Sequence, residues 1–276
     1  MHLSPNTYQG LAFGMTYFDG IETDIRLTRD KKLVIHHDAI LNSGQLIENL
    51  TLDQVIDQGI PSFDQFLAIP EIVELSKKSA MYIELKPNCN GRSRVVEPII
   101  DDFYHAFHTS IDQSDINVKN INLISFVKDF LDPFTDDYDC FPLLPDVNEC
   151  SQRFVALKAI PQVLGRSLAT EMRRAAKRDF AGVFFARQYI MGFTSFRHPS
   201  YDDAIDLAQE LDLLLGSNLG DPELEADYPD FARFSDKLAK YPRHAKKGEG
   251  PIIAHRGTGT KGVEVPDDKL PTITMQ

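Results

Sequence analysis

The strongest constraint on the fold is the alternation of short apolar runs with helical segments along the chain. Eight runs have the length and composition of β-strands: Gly20–Leu27, Leu33–His36, Ala80–Leu85, Ile121–Phe126, Phe141–Leu144, Phe180–Ala186, Leu211–Leu215 and Pro251–Ala254. Several are continuously apolar, as is typical of strands buried on both faces of a parallel sheet. Helical patterns lie between them at Asn49–Gln58, Ser62–Leu67, Ile69–Ser76, Gln162–Lys177 and Ser200–Glu210. Repeated strand–helix units indicate an α/β fold, either a barrel or a doubly wound sheet.

Length and charge narrow the class of protein. The chain has 276 residues, which fits one α/β barrel or two smaller domains. Its 29 basic and 41 acidic residues give a formal net charge of −12, and no basic run is longer than a pair such as Lys246-Lys247. We expect no nucleic-acid partner, because phosphate contacts need a basic face. Surface acids are the commoner cause of such a charge, but it also suits carboxylates gathered around a divalent cation.

The cysteines and the N-terminal residues indicate the cellular compartment of the protein. The three cysteines, Cys89, Cys140 and Cys150, are odd in number and far apart. They predict neither a disulfide framework nor a zinc site. The N-terminus lacks a basic and then apolar leader, and no run approaches the roughly 18 apolar residues of a membrane span. We therefore expect no signal peptide, no integral membrane segment and a cytoplasmic location.

Three carboxylates stand on predicted strands. Glu22 and Asp24 are two residues apart, so they face the same side of a strand and repel unless a cation or a proton intervenes. The alternative is an exposed face of an edge strand. Glu84 lies in an apolar strand, where a charge is costly unless paired or bound to a metal. It forms either an ion pair with Lys86 or a third oxygen ligand beside a phosphate-binding ammonium, and three such ligands suit Mg²⁺ or Ca²⁺.

Two histidine motifs follow predicted strands. In His36-His37-Asp38 the carboxylate can fix the tautomer of an imidazole and raise its basicity. In His255-Arg256-Gly257 an imidazole and a planar guanidinium form an anion-binding corner. The alternative for the second motif is a basic pair on a surface loop.

These residues belong to a set of short motifs whose order and spacing resemble the glycerophosphodiester phosphodiesterase family. The motifs are Pro5-Asn6-Thr7, Gly20-Ile21-Glu22-Thr23-Asp24-Ile25 with Leu27-Thr28-Arg29-Asp30, His37-Asp38 with Leu41, Gly44 with Leu50-Thr51, Ile60-Pro61-Ser62-Phe63, Ile83-Glu84-Leu85-Lys86 and Ser125-Phe126. Beyond Phe126 the likeness is weak.

The resemblance implies a TIM (β/α)₈-type barrel with its site at the carboxyl ends of the strands. It implies a divalent cation, Mg²⁺ or Ca²⁺, held by Glu22, Asp24 and Glu84. It also implies two acid/base histidines, His37 and His255, and two phosphate-binding residues, Arg256 and Lys86. The residues leave open which histidine is the acid and which is the base. Analogy with the family favours His37 as the acid and gives His36 no role.

The motif order departs from the family. His-Arg-Gly normally opens the barrel, whereas here it stands at 255–257. We expect one circularly permuted domain over 1–276, in which 251–276 supplies the first strand and its loop. Exposed loops tolerate new termini. The alternatives are a fragment of a tandem array or a misjoined gene product. The family's late glycine-rich strand also has no clear counterpart, so one late strand is missing, degenerate or replaced.

The function expected from these residues is metal-dependent hydrolysis of a small-molecule substrate, a glycerophosphodiester, to an alcohol and glycerol phosphate. One alternative is a sphingomyelinase D-like lyase, which shares the barrel and the two-histidine logic. Another is a catalytically inactive barrel that serves as a binding module. The sequence leaves the head-group alcohol and the oligomeric state open.

Overall fold

The computed structural model describes residues 1–88, 97–144, 161–186, 201–218, 244–245, 248–249, 253–258 and 262–274. These residues fall into two compact units. The first comprises Met1–Glu84, Asp101–Ile121 and Gly220–Gln276, and the second comprises Leu85–Ile100 and Asn122–Leu219. Among the described residues, no helix is both long and apolar enough to cross a membrane.

The described elements follow the predicted alternation. The helices are α1 (Tyr8–Tyr17), α2 (Leu52–Ile56), α3 (Phe63–Leu67), α4 (Pro70–Ser76), α5 (Glu97–Asp112), α6 (Pro161–Ala176) and α7 (Tyr201–Glu210). The strands are β1 (His2–Leu3), β2 (Gly20–Leu27), β3 (Leu33–Ile35), β4 (Ala80–Leu85), β5 (Ile121–Ser125), β6 (Asp139–Leu144), β7 (Gly182–Ala186), β8 (Leu214–Asn218), β9 (His244–Ala245), β10 (Gly248–Glu249), β11 (Ile253–His255) and β12 (Val263–Glu264). Every predicted strand has a counterpart, with boundaries shifted by up to three residues at either end.

In the first unit the late strand β11 lies beside β2, the first long strand. The order is β11-β2-β4, and β3 also pairs with β2. The β11–β2 pairing is parallel and sets His255 opposite Glu22. Strand β2 is buried along its whole length. A motif near the end of the chain is thereby brought level with a motif near its beginning.

Strand β3 departs from the expected parallel arrangement, because it runs antiparallel to β2. The reason is the short connection at 28–32, whereas a parallel crossover needs about a dozen residues or more. Thr28 N–H donates to the carbonyl of Lys32 at 2.8 Å, and Lys31 adopts a φ of 61°. The turn therefore folds β3 back along β2.

Helix α1 is absent from the sequence-based prediction. Residues from Tyr8 to Met15 are buried except Gln9, so the segment has almost no polar face that would produce a helical pattern. Thr7 caps the helix by accepting a hydrogen bond from Gly10 N–H at 3.1 Å. At Gly14 a Cβ would lie 2.9 Å from the carbonyl oxygen of Gly257. The helix is thus defined by its packing, in part against the turn after β11.

The two ends of the chain pack together. Strands β1 and β12 pair antiparallel, and the Met1 amino group donates to the Val265 carbonyl at 2.8 Å. Leu3, Phe13, Val263 and Val265 form one buried apolar cluster. The C-terminal segment is therefore part of the core of the first unit.

The second unit contains a parallel sheet. Strand β5 pairs with β6, β6 with β7, and β7 with β8. Phe141 and Phe184 meet edge to face with ring centroids 5.5 Å apart. The predicted late departure from the family falls in the irregular stretch from Asp221 through Gly250, of which the structure describes only 244–245 and 248–249.

The turn after β11 gives a test of how closely the C-terminal segment packs. Gly257 has a φ of +78°, and a Cβ there would lie 2.4 Å from the carbonyl oxygen of Gly10. Gly44 has a φ of +81° with nothing within 4 Å. Each alanine substitution is expected to lower the free energy of unfolding by about 1–2 kcal/mol, because alanine is strained in the left-handed conformation. Gly257→Ala is expected to lower it by about 1–3 kcal/mol more, because its Cβ overpacks the contact with Gly10.

The measurement is the free energy of unfolding of Gly257→Ala and Gly44→Ala in chemical denaturation. Equal losses in the two variants would contradict the close contact between the turn and α1.

Candidate active site

Three buried carboxylates converge at the end of the first unit's sheet. Glu22 and Asp24 lie on β2, and Glu84 lies on the neighbouring β4. Each offers a carboxylate oxygen within 4.8 Å of the others, and the residues are 8%, 0% and 6% exposed. The edge-strand alternative for Glu22 and Asp24 is wrong, because β2 lies between β11 and β4. We name this group the carboxylate cluster.

The donor chemistry of the carboxylate cluster fits a hard divalent cation. All its ligand atoms are oxygens, which Mg²⁺ and Ca²⁺ prefer. Like charges at this separation in a buried place oppose one another unless a cation or donors offset them. The cluster could therefore hold the predicted cation.

Asn6 holds the cluster from the N-terminal side. Its Nδ2 donates to Asp24 Oδ2 at 2.8 Å, and its Oδ1 accepts from Thr23 Oγ1 at 3.0 Å. Its backbone N–H donates to the carbonyl of Arg256 at 3.0 Å, and its φ is 54°. Asn is one of the residues that tolerate this conformation. Sequence analysis assigned Asn6 no task, although the Pro5-Asn6-Thr7 motif marked the segment.

The His255-Arg256 corner lies against the same carboxylates. His255 Nε2 is 3.5 Å from Glu22 Oε2, and the Arg256 backbone N–H donates to that oxygen at 3.1 Å. Arg256 Nε lies 3.3 Å from Asp24 Oδ2, and the Arg256 side chain is 16% exposed. The surface-loop alternative is therefore wrong, since the turn is packed on the carboxylate cluster.

The segment after β3 carries the second histidine. His36 N–H donates to the carbonyl of Asp24 at 3.0 Å, which ties the segment to β2. His37 Nδ1 lies 2.8 Å from Asp38 Oδ1, and the His37 side chain is 37% exposed. This contact favours the tautomer with its proton on Nδ1.

The electrostatics of this segment keep Asp38 ionised. Burial alone would raise the pKa of Asp38, but the hydrogen bond with His37 and nearby positive charge, including Arg26, hold the pKa below its ordinary value. Burial lowers the pKa of His36. An ionised Asp38 is a hydrogen-bond acceptor for the Nδ1–H of His37.

Lys86 lies in the second unit and is fully buried. Its Nζ is 5.9 Å from the centroid of the Phe126 ring, a cation–π distance. In the same unit Ser125 Oγ donates to the carbonyl of Leu85 at 2.9 Å. The sequence motif around Ser125 and Phe126 is therefore in contact with the end of β4 and with Lys86.

A buried carboxylate cluster beside an imidazole and a guanidinium, on a predominantly parallel α/β sheet, suits an enzyme that acts on a phosphate ester. The chain belongs to the glycerophosphoryl diester phosphodiesterase family, whose model matches residues 11–246. It is therefore a phosphodiester hydrolase with the family's TIM-barrel-like fold. The match ends before His255, so the His-Arg-Gly motif lies outside it.

Solved structures of this family share the fold. A glycerophosphodiester phosphodiesterase from Parabacteroides distasonis is 18% identical with a TM-score of 0.55, covering 86% of this chain and 79% of its own. An Oleispira antarctica phosphodiesterase in complex with the product sn-glycerol-3-phosphate is 14% identical with a TM-score of 0.52, covering 92% and 88%. A glycerophosphodiester phosphodiesterase from Agrobacterium tumefaciens is 16% identical with a TM-score of 0.51, covering 92% and 91%. No curated protein sequence matches significantly.

The place of Asn6 leads to a stability prediction. Asn6→Gly keeps the left-handed backbone accessible and removes the amide that donates to Asp24. Because a buried charge then loses a donor, we expect the free energy of unfolding to fall by about 1.5–3 kcal/mol.

The measurement is chemical denaturation at neutral pH. Asn6→Ala serves as the comparison, and it is expected to lose about 1 kcal/mol more because alanine is strained at this φ. A loss in Asn6→Gly no larger than that of an exposed substitution, roughly 0.5 kcal/mol, would contradict the role of the amide.

Proposed function

We propose that the protein hydrolyses glycerophosphodiesters to an alcohol and glycerol phosphate, with a divalent cation and two acid/base histidines. The observation that carries this proposal is the approach of His255 and Arg256 to the carboxylate cluster within one chain. The family supplies the reaction class. The Oleispira antarctica relative, whose crystals contain the product sn-glycerol-3-phosphate, supports glycerol phosphate as the product here.

The residues that would hold the cation are Glu22, Asp24 and Glu84. When bound, Mg²⁺ or Ca²⁺ supplies Lewis-acid polarisation of a phosphoryl oxygen and offsets negative charge. The guanidinium of Arg256 binds the phosphate through paired N–H donors, and Lys86 contributes a point charge. These contacts orient the diester for attack and stabilise its developing charge.

The two histidines divide the proton transfers. His255 takes the proton of the attacking hydroxyl, and Glu22 Oε2 at 3.5 Å stabilises the resulting imidazolium. Attack by water gives glycerol phosphate directly, whereas attack by the substrate's own glycerol hydroxyl gives a cyclic phosphodiester, which water then opens to glycerol phosphate. His37, held by Asp38, gives its proton to the leaving alcohol. General acid–base catalysis of this kind contributes roughly 10²–10⁴-fold to a rate.

We also propose that the chain is one permuted barrel in which 251–276 supplies the first strand and loop. The β11–β2 pairing and the contacts between the chain ends support this arrangement. The inactive-barrel alternative rests on the displaced His-Arg-Gly motif and on the weak late strands. The contacts of Arg256 with Glu22 and Asp24 speak against the first of these grounds. A cytoplasmic location remains our proposal from the odd cysteine count, and Cys140 is a buried free thiol.

Cation binding is tested through Glu84. We expect Mg²⁺ or Ca²⁺ at about 100 times the dissociation constant to stabilise the wild-type protein by about 2.7 kcal/mol. Glu84→Gln removes one charged ligand and is expected to lose most of this stabilisation. The measurement is the shift of Tm with cation concentration.

The matched control for charge is Glu74→Gln, since Glu74 is exposed on α4 and pairs with Lys77. It should keep the full shift. A chelator should also abolish hydrolysis of glycerophosphocholine by the wild-type enzyme. An unchanged cation shift in Glu84→Gln would remove this residue from the proposed ligands.

The role of His37 is tested with two leaving groups. We expect His37→Ala to cut kcat on glycerophosphocholine by about 10²-fold or more. The loss should be much smaller on glycerophospho-p-nitrophenol, because p-nitrophenolate departs without protonation. His105→Ala, which changes an exposed histidine on α5, is the control and should match the wild type.

Equal losses on both substrates would show that His37 is not the acid, and wild-type turnover would exclude it from the reaction. Lysophosphatidylcholine and sphingomyelin, assayed in parallel, test the sphingomyelinase D-like alternative. Faster turnover of these lipids than of glycerophosphocholine would favour that alternative.

A further inference from the structure

Arg26 is a buried charge in the first unit to which the proposed reaction gives no task. It lies on β2, two residues after Asp24 and four after Glu22, so all three residues face the same side of the strand. It is 3% exposed. A guanidinium remains charged at all ordinary pH values, and its burial is tolerated only where acceptors satisfy its donors.

One acceptor of the Arg26 guanidinium is the backbone of a proposed catalytic residue. Arg26 Nε and Nη2 donate to the carbonyl oxygen of His37, at 2.9 Å and 2.5 Å. Hydrogen bonds from a charged donor are shorter and about twice as strong as neutral ones. Two N–H donors of the rigid guanidinium thus hold the backbone carbonyl oxygen of His37, the residue that carries the imidazole.

The surrounding pairing shows why this contact matters for the segment after β3. Arg26 stands opposite Val34 in the β2–β3 register, and β3 ends at Ile35. Beyond that residue the regular ladder stops, and the chain is attached to β2 by the His36 N–H bond to the Asp24 carbonyl. The Arg26 side chain continues this attachment by one more residue, up to His37.

We propose that Arg26 is a positioning residue for the reaction: it fixes the backbone of His37 so that the imidazole is delivered to the leaving alcohol, while Asp38 fixes the tautomer of the ring. This inference rests on the proposed function of His37. A displacement of about 1 Å of a catalytic group costs on the order of 10²-fold in rate. The fork of Arg26 prevents such a displacement without touching substrate.

Another way for Arg26 to act is through its charge. Its charge contributes to lowering the pKa of His36 and of Asp38, and it lies on the same face as the carboxylate cluster. A residue that acted on the cluster would change cation binding. A residue that acts on His37 changes only the step that needs the acid.

The experiment uses Arg26→Gln in the full chain, with Arg29→Gln as the matched control. Arg29 is exposed just beyond the end of β2, so its substitution removes the same charge without the contact. On glycerophosphocholine we expect kcat of Arg26→Gln to fall by about 10²-fold with KM within about twofold of the wild type. On glycerophospho-p-nitrophenol kcat should stay near the wild-type value, and the cation-induced rise in Tm should be unchanged.

A double-variant comparison makes the assignment specific. If Arg26 acts through His37, the variant with both Arg26→Gln and His37→Ala is no slower than His37→Ala alone, because groups that act as a unit are not additive. Additive losses would overturn the proposal. So would equal losses on both substrates, or a reduced cation shift.

Arg26→Lys keeps the charge and replaces the fork by a single ammonium. It is the variant to assay if Arg26→Gln fails to fold. It is expected to show a smaller loss with the same dependence on the leaving group, and full activity would overturn the proposal. The outcome for His37→Ala separates two failures. If the loss in His37→Ala does not depend on the leaving group, the proposed function of His37 fails. If the loss depends on the leaving group in His37→Ala but not in Arg26→Gln, only the inference about Arg26 fails.

Discussion

The first unit is organised around the electrostatic problem of holding three carboxylates together in a buried place. Glu22, Asp24 and Glu84 bring oxygens within 4.8 Å of one another, an arrangement that is unfavourable without donors or a cation. The chain supplies donors from two distant segments, the Asn6 amide and the backbone N–H of Arg256. The packing of both segments onto β2 is thereby coupled to the chemistry of the site.

The close packing of the chain ends follows from the same requirement. Arg256 reaches Glu22 and Asp24 only if β11 lies directly beside β2, and the turn at Gly257 must then fit against α1. Glycine at 257 allows both the positive φ and the approach of the Gly10 carbonyl. The contacts of Arg256 with Glu22 and Asp24 therefore depend on which strands are neighbours and not on their order along the chain.

Strand β2 serves as the reference to which the other parts of the site are attached. Alternate residues on one face are Glu22, Asp24 and Arg26, which contact the turn after β11, Asn6 and the segment after β3 respectively. A single strand so determines the relative places of the carboxylates and of both proposed acid/base histidines. Because these segments pack against the strand, it is buried on both faces despite its charges.

Much of the local structure could be predicted from residues near one another in sequence. The strands of both units and the same-face spacing of Glu22 and Asp24 follow from the periodicity of the sequence. The motif spacing also predicted the family, which the match over 11–246 confirms. These features depend on short-range pattern, which the order of residues carries directly.

Only the tertiary structure decided which distant groups meet. Helix α1 could not be recognised from the sequence, because nearly all of its sides are buried and it has almost no polar face. Strand β3 runs antiparallel to β2 because the connection between them is short. The contacts of Asn6 with Asp24 and of Arg26 with the His37 carbonyl join segments whose residue types are ordinary for a turn and a strand. The sequence by itself determined the chemical groups, whereas the pairing of β11 with β2 decided that His255 and Arg256 lie against Glu22 and Asp24.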